Sequence, residues 1–556
     1  MNRKILSMSI LSASAAMWAI FVANPSRAGS PSDRWNKKIA IGQNFRIYPS
    51  AVTQTETFIV RHPSNPNIMF ASANSFNLST VFFSEGVYVT TDGGTNWFGS
   101  DTCNGSPINF HRGDPGIAID KDGNFILIRL GFYPGLYSHY STNNGLTWSG
   151  QRTVATNDQD RATLVSDGNP ASTYYGRSYA LWVRLDTTMP AVSFSYTDDG
   201  AQNWSPRRQV NNPTQRGQGG EIALGPDGTI SACWAGVINI SPFTEDFVGF
   251  ASSTDGGATW NVAENAFDMN GIAGAFPQKA NIRVNGLPRI DVDRSGDSRN
   301  GWIYVVTTQK NLSPAGSDPD IIINRSTDAG ITWSSGIRVN QDPPNNGKIQ
   351  FFPAIHVDEG GGVNVIYYDD RTTTSDSAAV YLSRSMDGGN TWQDFEISDH
   401  HFKPQPLAGL PQGYQGDNIG LTSTNNTLWP VWMDNSTGIY QVWTVPIPLS
   451  TVRVNDGKGE FVSDRFELKQ NYPNPFNPST TIEYILRKDD YVTLKVYEIS
   501  GRNIVTLIDE KQRAGRHEIT FDAEHVLENI VLPSGVYFYT LSVSDFSETR
   551  AMVLVK

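Results

Sequence analysis

Apolar and polar residues alternate in short runs along almost the whole chain, as in "ETFIV" from Glu56, "GIAID" from Gly116 and "AVYLSR" from Ala379. Clusters of Gly, Asp, Asn and Pro separate the runs. A period of two with this punctuation predicts short strands joined by tight turns. Seven stretches read as hairpins, beginning at Glu56, Asp114, Asp160, Glu221, Pro288, Pro353 and Asp417. Between them recurs a polar phrase that closes on tryptophan: "TTDGGTNW" (90–97), "STNNGLTW" (141–148), "YTDDGAQNW" (196–204), "STDGGATW" (253–260), "STDAGITW" (326–333) and "SMDGGNTW" (385–392). In such a phrase an Asp or Asn folds back onto backbone N–H groups, Gly takes the left-handed conformation and Trp packs over the turn. Asp92, Asn143, Asp198, Asp255, Asp328 and Asp387 are read in the folding-back role, with one extra residue before the Trp of the third copy.

The repeat is about 60 residues, which suits four short strands, and an all-strand period of that size predicts a β-propeller. The fold class is all-β: four-stranded blades, seven of them with six as the alternative, followed by a small Ig-like β-sandwich. The seventh unit lacks its outermost strand, and "NKKIAIGQNFRIY" (36–48) is expected to supply it, removing the last open edge.

The start carries Arg3 and Lys4, an apolar run from Ile5 to about Val22, and small residues at Ser26 and Ala28, which predicts a secretory signal over 1–28. The propeller is expected over 29–449, a polar linker over 450–465 and the sandwich over 466–556. No later run is long and apolar enough to span a bilayer, so no transmembrane segment is expected. A net charge of −12 opposes a nucleic-acid surface. Cys103 and Cys233 fall in different repeats, which disfavours a disulfide, and nothing gives them zinc-ligand company. No cofactor is expected. "DVDRSGDSRNGW" (291–302) has the acid spacing of a calcium loop but Trp302 at its twelfth position, leaving calcium as a minor alternative.

In a propeller the starts of inner strands and the ends of second strands meet at one mouth of the channel. Strand starts place Glu56, Asp114, Asp160, Arg161, Glu221, Arg289 and Asp417 there. Strand ends add Arg129, Arg184, "YYDDR" (367–371) and Asp434, with Trp182, Tyr414 and Trp432 interleaved. Asp160, Glu221, Asp369 and Asp417 are candidate catalytic carboxylates. Glu56, Arg161, Arg289, Tyr368, Asp370, Arg371 and Asp434 are candidate substrate ligands. Carboxylates, arginines and aromatic faces together suit a polyhydroxylated ligand. Alternatively, each acid satisfies its neighbours inside the channel. His62, His111, His139 and His356 lie in no nucleophile motif.

The repeated phrase resembles the Asp-box, or bacterial neuraminidase repeat, of the sialidase superfamily. That resemblance implies a β-propeller with the boxes away from the site, and in its best-known members an exo-sialidase using an arginine triad, a Tyr nucleophile helped by Glu, and an Asp acid/base. "FRIYP" (45–49) imitates an Arg-Ile-Pro motif, but Arg46 falls in the proposed closing strand at the rim. The tail, with "NYPNPFNPSTTIEY", "YEISGRNIVTL" and "LPSGVYFYTLSV", is similar to the C-terminal sorting domain of type IX secretion cargo. This implies partnership with that machinery and a place outside the cell or on the outer-membrane surface. The expected function is binding or acting on extracellular glycans or glycoproteins at the mouth. A true exo-sialidase and a non-catalytic interaction propeller are the alternatives.

Overall fold

The computed structural model describes residues 37–38, 42–77, 82–452, 466–486, 488–498, 502–524, 532–543 and 546–556. The expected signal segment and most of the expected linker lie outside them. Among the described residues seven sheets, five of four strands and two of five, follow one another along the chain. Their first strands are Thr53–Arg61, Gly116–Ile119, Thr163–Ser166, Arg216–Leu224, Arg289–Val292, Gln350–Val357 and Gly420–Thr424. Each first strand touches the next, and the seventh touches the first, so the sheets form a closed ring around a channel. Within each of the first six sheets four chain-consecutive strands pair antiparallel and run outward in chain order. Apolar residues of neighbouring sheets interdigitate: Phe70, Val87 and Val89 of the first blade share a core with Ile117, Phe125 and Leu127 of the second.

The seventh blade is completed by the chain start. Phe45–Arg46 pairs antiparallel with Gln441–Thr444, Arg46 opposite Trp443, which puts Arg46 at the rim. Only part of the expected closing segment does this. Lys37–Lys38 instead runs parallel to Gln393–Glu396 of the sixth blade, and Ile39 lies outside the described residues. Asn44 holds the crossing point, since its side chain donates to Ile397 O (3.0 Å) and accepts from Asp399 N (2.7 Å). The start therefore stitches two adjacent blades.

The repeated phrase is the corner between third and outer strands. In the fourth blade Ser253 Oγ donates to Asp255 Oδ1 (2.8 Å) and accepts from Gly257 N (2.9 Å), while Asp255 Oδ1 accepts from Thr259 N (2.9 Å). Gly256 and Gly257 lie at φ +67° and +85°. A Cβ on Gly257 would stand 2.2 Å from the Phe194 ring of the preceding blade, and Trp260 meets that ring edge-on at 5.1 Å. The arrangement recurs: Trp148 packs on Phe70, Trp333 on Phe250, and Trp97 on Trp429 across the closure of the ring. Such ring pairs add about 0.5–1.5 kcal/mol each beyond buried area. Every corner therefore leans on the blade before it.

The third corner corrects the assignment of Asp198. Thr197 Oγ1 donates to Asp199 Oδ1 (2.9 Å), which accepts from Asn203 N (2.9 Å), while Asp198 pairs with Arg177 at 2.7 Å. The copy begins at Thr197, so it contains no extra residue. Ala201 fills the second glycine position at φ +68°.

The C-terminal strands form two sheets. One contains Phe466–Leu468, Ser479–Leu486 and Gly515–Asp522; the other contains Asp490–Glu498, Asn503–Gln512, Gly535–Val543 and Phe546–Leu554. Tyr484 from the first and Leu494 and Tyr539 from the second share one core.

Gly257→Ala pushes a Cβ toward Phe194, which is fully buried, and strains a left-handed residue, so it should cost on the order of 3 kcal/mol in chemical unfolding. Ala201→Gly relieves the same strain and should gain about 1 kcal/mol. The Asp255 and Asp328 carboxyls are each held down to about 2 by hydrogen bonds from Thr259 and Thr332. Their contribution is complete above the ordinary carboxyl range near 4 and is lost as pH falls toward 2. Replacing both with Asn, which the second corner already uses at position 143, should flatten the fall in melting temperature across that window.

Candidate functional site

The mouth where the inner strands begin opens into a cavity of about 780 Å³. Backbone irregularities aim its acids inward. Glu56 lies at φ +53° on a bulge between Thr55 and Phe58, which interrupts the alternation of the strand and turns the carboxylate toward the channel. The fourth and sixth blades carry similar bulges, with Gly219 at φ +64° and Phe352 at φ +54°. Asp114, at φ +56°, precedes the second inner strand. Two long crossovers complete the wall: residues 269–288 bring Arg283 and Asn285, and residues 399–419 bring Tyr414, Asp417 and Asn418.

These groups form one hydrogen-bonded network. Tyr414 Oη donates to Glu56 Oε1 (2.7 Å) and accepts from Asn74 Nδ2 (2.9 Å), which also reaches Asp114 Oδ1 (3.1 Å). Asn418 Nδ2 serves both Glu56 Oε2 (3.1 Å) and Asp417 Oδ1 (3.0 Å). Asp417 Oδ2 accepts from Asn285 Nδ2 (2.7 Å) and Arg283 Nη2 (3.2 Å). Below them, Glu221 Oε1 faces Arg161 Nη2 at 2.8 Å and Arg289 Nη1 at 3.2 Å. Arg161 stacks over Phe58 at 4.9 Å, and its Nη1 is buried without a hydrogen-bond partner among the described residues.

Acids outnumber bases in this network, and burial sharpens the effect. Glu56 is raised well above the usual carboxyl range, first by burial and then by Asp114 and Asp417. Asp114 rises to about 6, from burial and then from Asp160, and burial raises Asp160 as well. Burial followed by the Glu56 charge lifts the Tyr414 phenol.

Of the residues read from the sequence, Glu56, Asp114, Asp160, Arg161, Tyr414 and Asp417 line the cavity, with Glu221 and Arg289 ion-paired beneath it. Asp369, Asp370, Arg371, Tyr368 and Asp434 do not line it. They sit at or just beyond the ends of second strands, one strand away from the channel, and are consumed by contacts within their own blade or with adjoining segments of the chain. Arg371 binds Asp369 (2.6 Å) and Asp394 (2.5 Å). Asp370 binds the buried Lys279 at 3.1 Å. Asp434 accepts from Trp432 Nε1 (2.9 Å), and Tyr368 Oη donates to Met433 O (2.6 Å). Trp182, Trp432 and Tyr367 are fully buried, so none offers a face to a ligand. Arg129 is buried against His139 and Gln151, and Arg184 is held by Asp186.

Asn74, Arg283, Asn285 and Asn418 were missed in the sequence. The signal for three of them was length, because they lie in or beside the two longest spacers between a corner Trp and the next hairpin. At the opposite end of the channel, His356 lies between Asp291 (3.2 Å) and Ser423 (2.8 Å), an arrangement reminiscent of a hydrolase triad. Ser423 is wholly buried and donates to Glu359 (2.8 Å), so its hydroxyl is not presented as a nucleophile and the set ties blades together. The calcium-like loop is occupied by a guanidinium: Arg299 lies 2.6 Å from Asp297 and 3.8 Å from Asp293. Cys103 and Cys233 are free, buried thiols in separate cores.

Residues 470–555 match the secretion system C-terminal sorting domain family. The tail is therefore an export address, and the protein is sent by type IX secretion to the cell surface or the extracellular space. No helix among the described residues is long and apolar enough to cross a membrane. No curated protein matches the chain. Solved structures similar to it include a Hadza microbial sialidase, Hz136, at 14% identity over 62% of this chain and 66% of that one, with a TM-score of 0.38. A leech intramolecular trans-sialidase is similar at 11% identity over 65% and 70%, with a TM-score of 0.39. The α-L-arabinofuranosidase Arb93A from Fusarium graminearum is similar at 12% identity over 74% and 98%, with a TM-score of 0.41.

The raised Asp114 carboxyl has a testable sign. Its ionised form is disfavoured in the folded state, so stability falls as pH rises from about 4 to about 6 and then levels off. Asp114→Asn should raise the melting temperature by about 2–4 °C at pH 7 and leave it unchanged below pH 4, as read by scanning calorimetry.

Proposed function

We propose that this exported propeller acts on extracellular glycans, and that the charged mouth binds the sugar and cleaves its glycosidic bond. The observation that carries this reading is the joining of Glu56, Asp114, Tyr414 and Asp417 in one hydrogen-bonded set that lines an open cavity. Glycosidic cleavage needs a carboxylic acid that still holds a proton near neutral pH beside a second, ionised carboxylate. Asp114, at about 6, suits the acid. Asp417, faced by Arg283 and Asn285, suits the second carboxylate. Glu221 serves as an anchor that holds Arg161 and Arg289 in place. Asp160 adds negative charge beside Asp114 and favours the proton on it.

A second reading, exo-sialidase chemistry, is favoured by one contact, the 2.7 Å hydrogen bond from the Tyr414 phenol to Glu56. Against it, Glu221 engages Arg161 and Arg289, and Asp417 engages Arg283, so internal carboxylates compete for the guanidiniums a sialic acid would need.

The test is hydrolysis of a panel of aryl sialosides, arabinosides and other glycosides by the full chain. Asp114→Asn should lower kcat/KM at least about 100-fold for whichever glycoside is cleaved, with the fold intact by circular dichroism. Tyr414→Phe should abolish turnover only if the substrate is a sialoside. Binding of glycans without turnover of any would leave a lectin, and neither binding nor turnover would overturn the proposal.

A further inference from the structure

Beyond the mouth, the same end of the second blade carries a feature that its core does not use. Phe110 (37% exposed), Phe132 (51%) and Tyr133 (60%) cluster there, with ring centroids 5.3 to 6.1 Å apart. Three large rings left in water together are costly unless something covers them. They are also held rigidly. Phe132 N donates to Phe110 O (2.8 Å), Leu130 N donates to Gly113 O (3.0 Å), and His111 bridges Gly131. Underneath, the fully buried Glu85 accepts from Gly113 N (2.8 Å) and pairs with His111 Nδ1 (2.5 Å), whose other nitrogen meets Gly105 O (2.9 Å). The loop is thus clamped before any ligand arrives, which lowers the ordering cost of binding.

The cluster is continuous with the mouth. The loop that carries Phe110 runs directly into Asp114. A file of rings links the two places through space: Tyr414 meets Phe76 at 6.2 Å, Phe76 meets Phe83 at 5.0 Å, and Arg112 lies over both Phe83 (5.8 Å) and Phe132 (4.6 Å). Arg112 is exposed and forms no ion pair with a carboxylate among the described residues, so its guanidinium edge is open to an incoming hydroxyl or acid.

We propose that Phe110, Phe132 and Tyr133, with Arg112, form a second sugar-binding subsite, which stacks a residue of the same glycan chain some units away from the one in the mouth. This rests on the glycan reading of the mouth and extends it to a chain-length preference. Aromatic faces pack against the C–H face of a pyranose or furanose ring, and the guanidinium supplies directional hydrogen bonds to its rim. A protein partner is the competing occupant.

The test is binding of the full chain to an array of sialylated, arabinan-derived and other oligosaccharides graded from disaccharide upward. Wild type is compared with the Phe132→Ala, Tyr133→Ala double variant and with Phe132→Tyr, all checked for an unchanged melting temperature. The double variant should weaken binding of the long ligands about tenfold, equivalent to about 1.4 kcal/mol, and that of disaccharides less than twofold. Phe132→Tyr should retain the long-chain affinity. An equal loss at every length, or no loss at all, overturns the subsite, and in the latter case turnover at the mouth still sensitive to Asp114→Asn leaves the mouth reading standing. A wild type that binds no glycan overturns both readings. Loss of binding to a deglycosylated protein, with glycan binding intact, would assign the rings to a protein partner instead.

Discussion

The ring is held by one contact made six times, the lean of a tight corner on the blade before it. Each corner spends its polar groups internally, with Ser or Thr and Asp or Asn satisfying the backbone of the turn, so that the Trp is free to pack sideways. The left-handed glycines are part of the same device, because a side chain at Gly94, Gly257 or Gly330 would occupy the space taken by an aromatic ring of the neighbouring blade. Hydrogen bonds between neighbouring blades, such as Tyr368 Oη to Met433 O and Val357 N to Asp291 Oδ2, add to these contacts. Interlocking corners and the strand that the chain start adds to the seventh blade complete the closure.

Closure in turn creates the chemistry. Seven inner strands converge on one channel, so whatever polar groups stand at their starts are forced together away from bulk water. Where bulges and left-handed residues tilt Glu56 and Asp114 inward, acids accumulate beyond what Arg161, Arg283 and Arg289 neutralise, and protons are retained that isolated carboxyls would release. Strain of this kind persists only where the surrounding structure over-determines it. Here the crossover over residues 399–419 does so, tying Asp417 and Tyr414 to the first blade through shared amide nitrogens.

The second-blade aromatic cluster is the counterpart in apolar chemistry. Its rings are exposed on a clamped loop, a combination that folding alone does not reward. Export through the C-terminal sorting domain places both surfaces outside the cytoplasm, where polymeric glycans are encountered.

Periodicity was legible because it is local: corner phrases and alternating runs depend on residues a few positions apart, and they were enough to place the strands, the corners and the rim position of Arg46. The starts of the inner strands were legible for the same reason, which is why Glu56, Asp114, Asp160, Arg161 and Asp417 were found. What the tertiary structure decided was which charged residue faces whom. Asp369, Arg371 and Asp434 look in sequence like Glu56 and Asp417, yet one strand of lateral displacement buries them among partners of their own blade. Asn74 carries no local mark, and Arg283 and Asn418, marked only by the length of their spacers, acquire their roles when distant segments meet. The even spacing of a repeat records backbone geometry, whereas partnership across a closed ring depends on contacts between residues hundreds of positions apart, which no local pattern encodes.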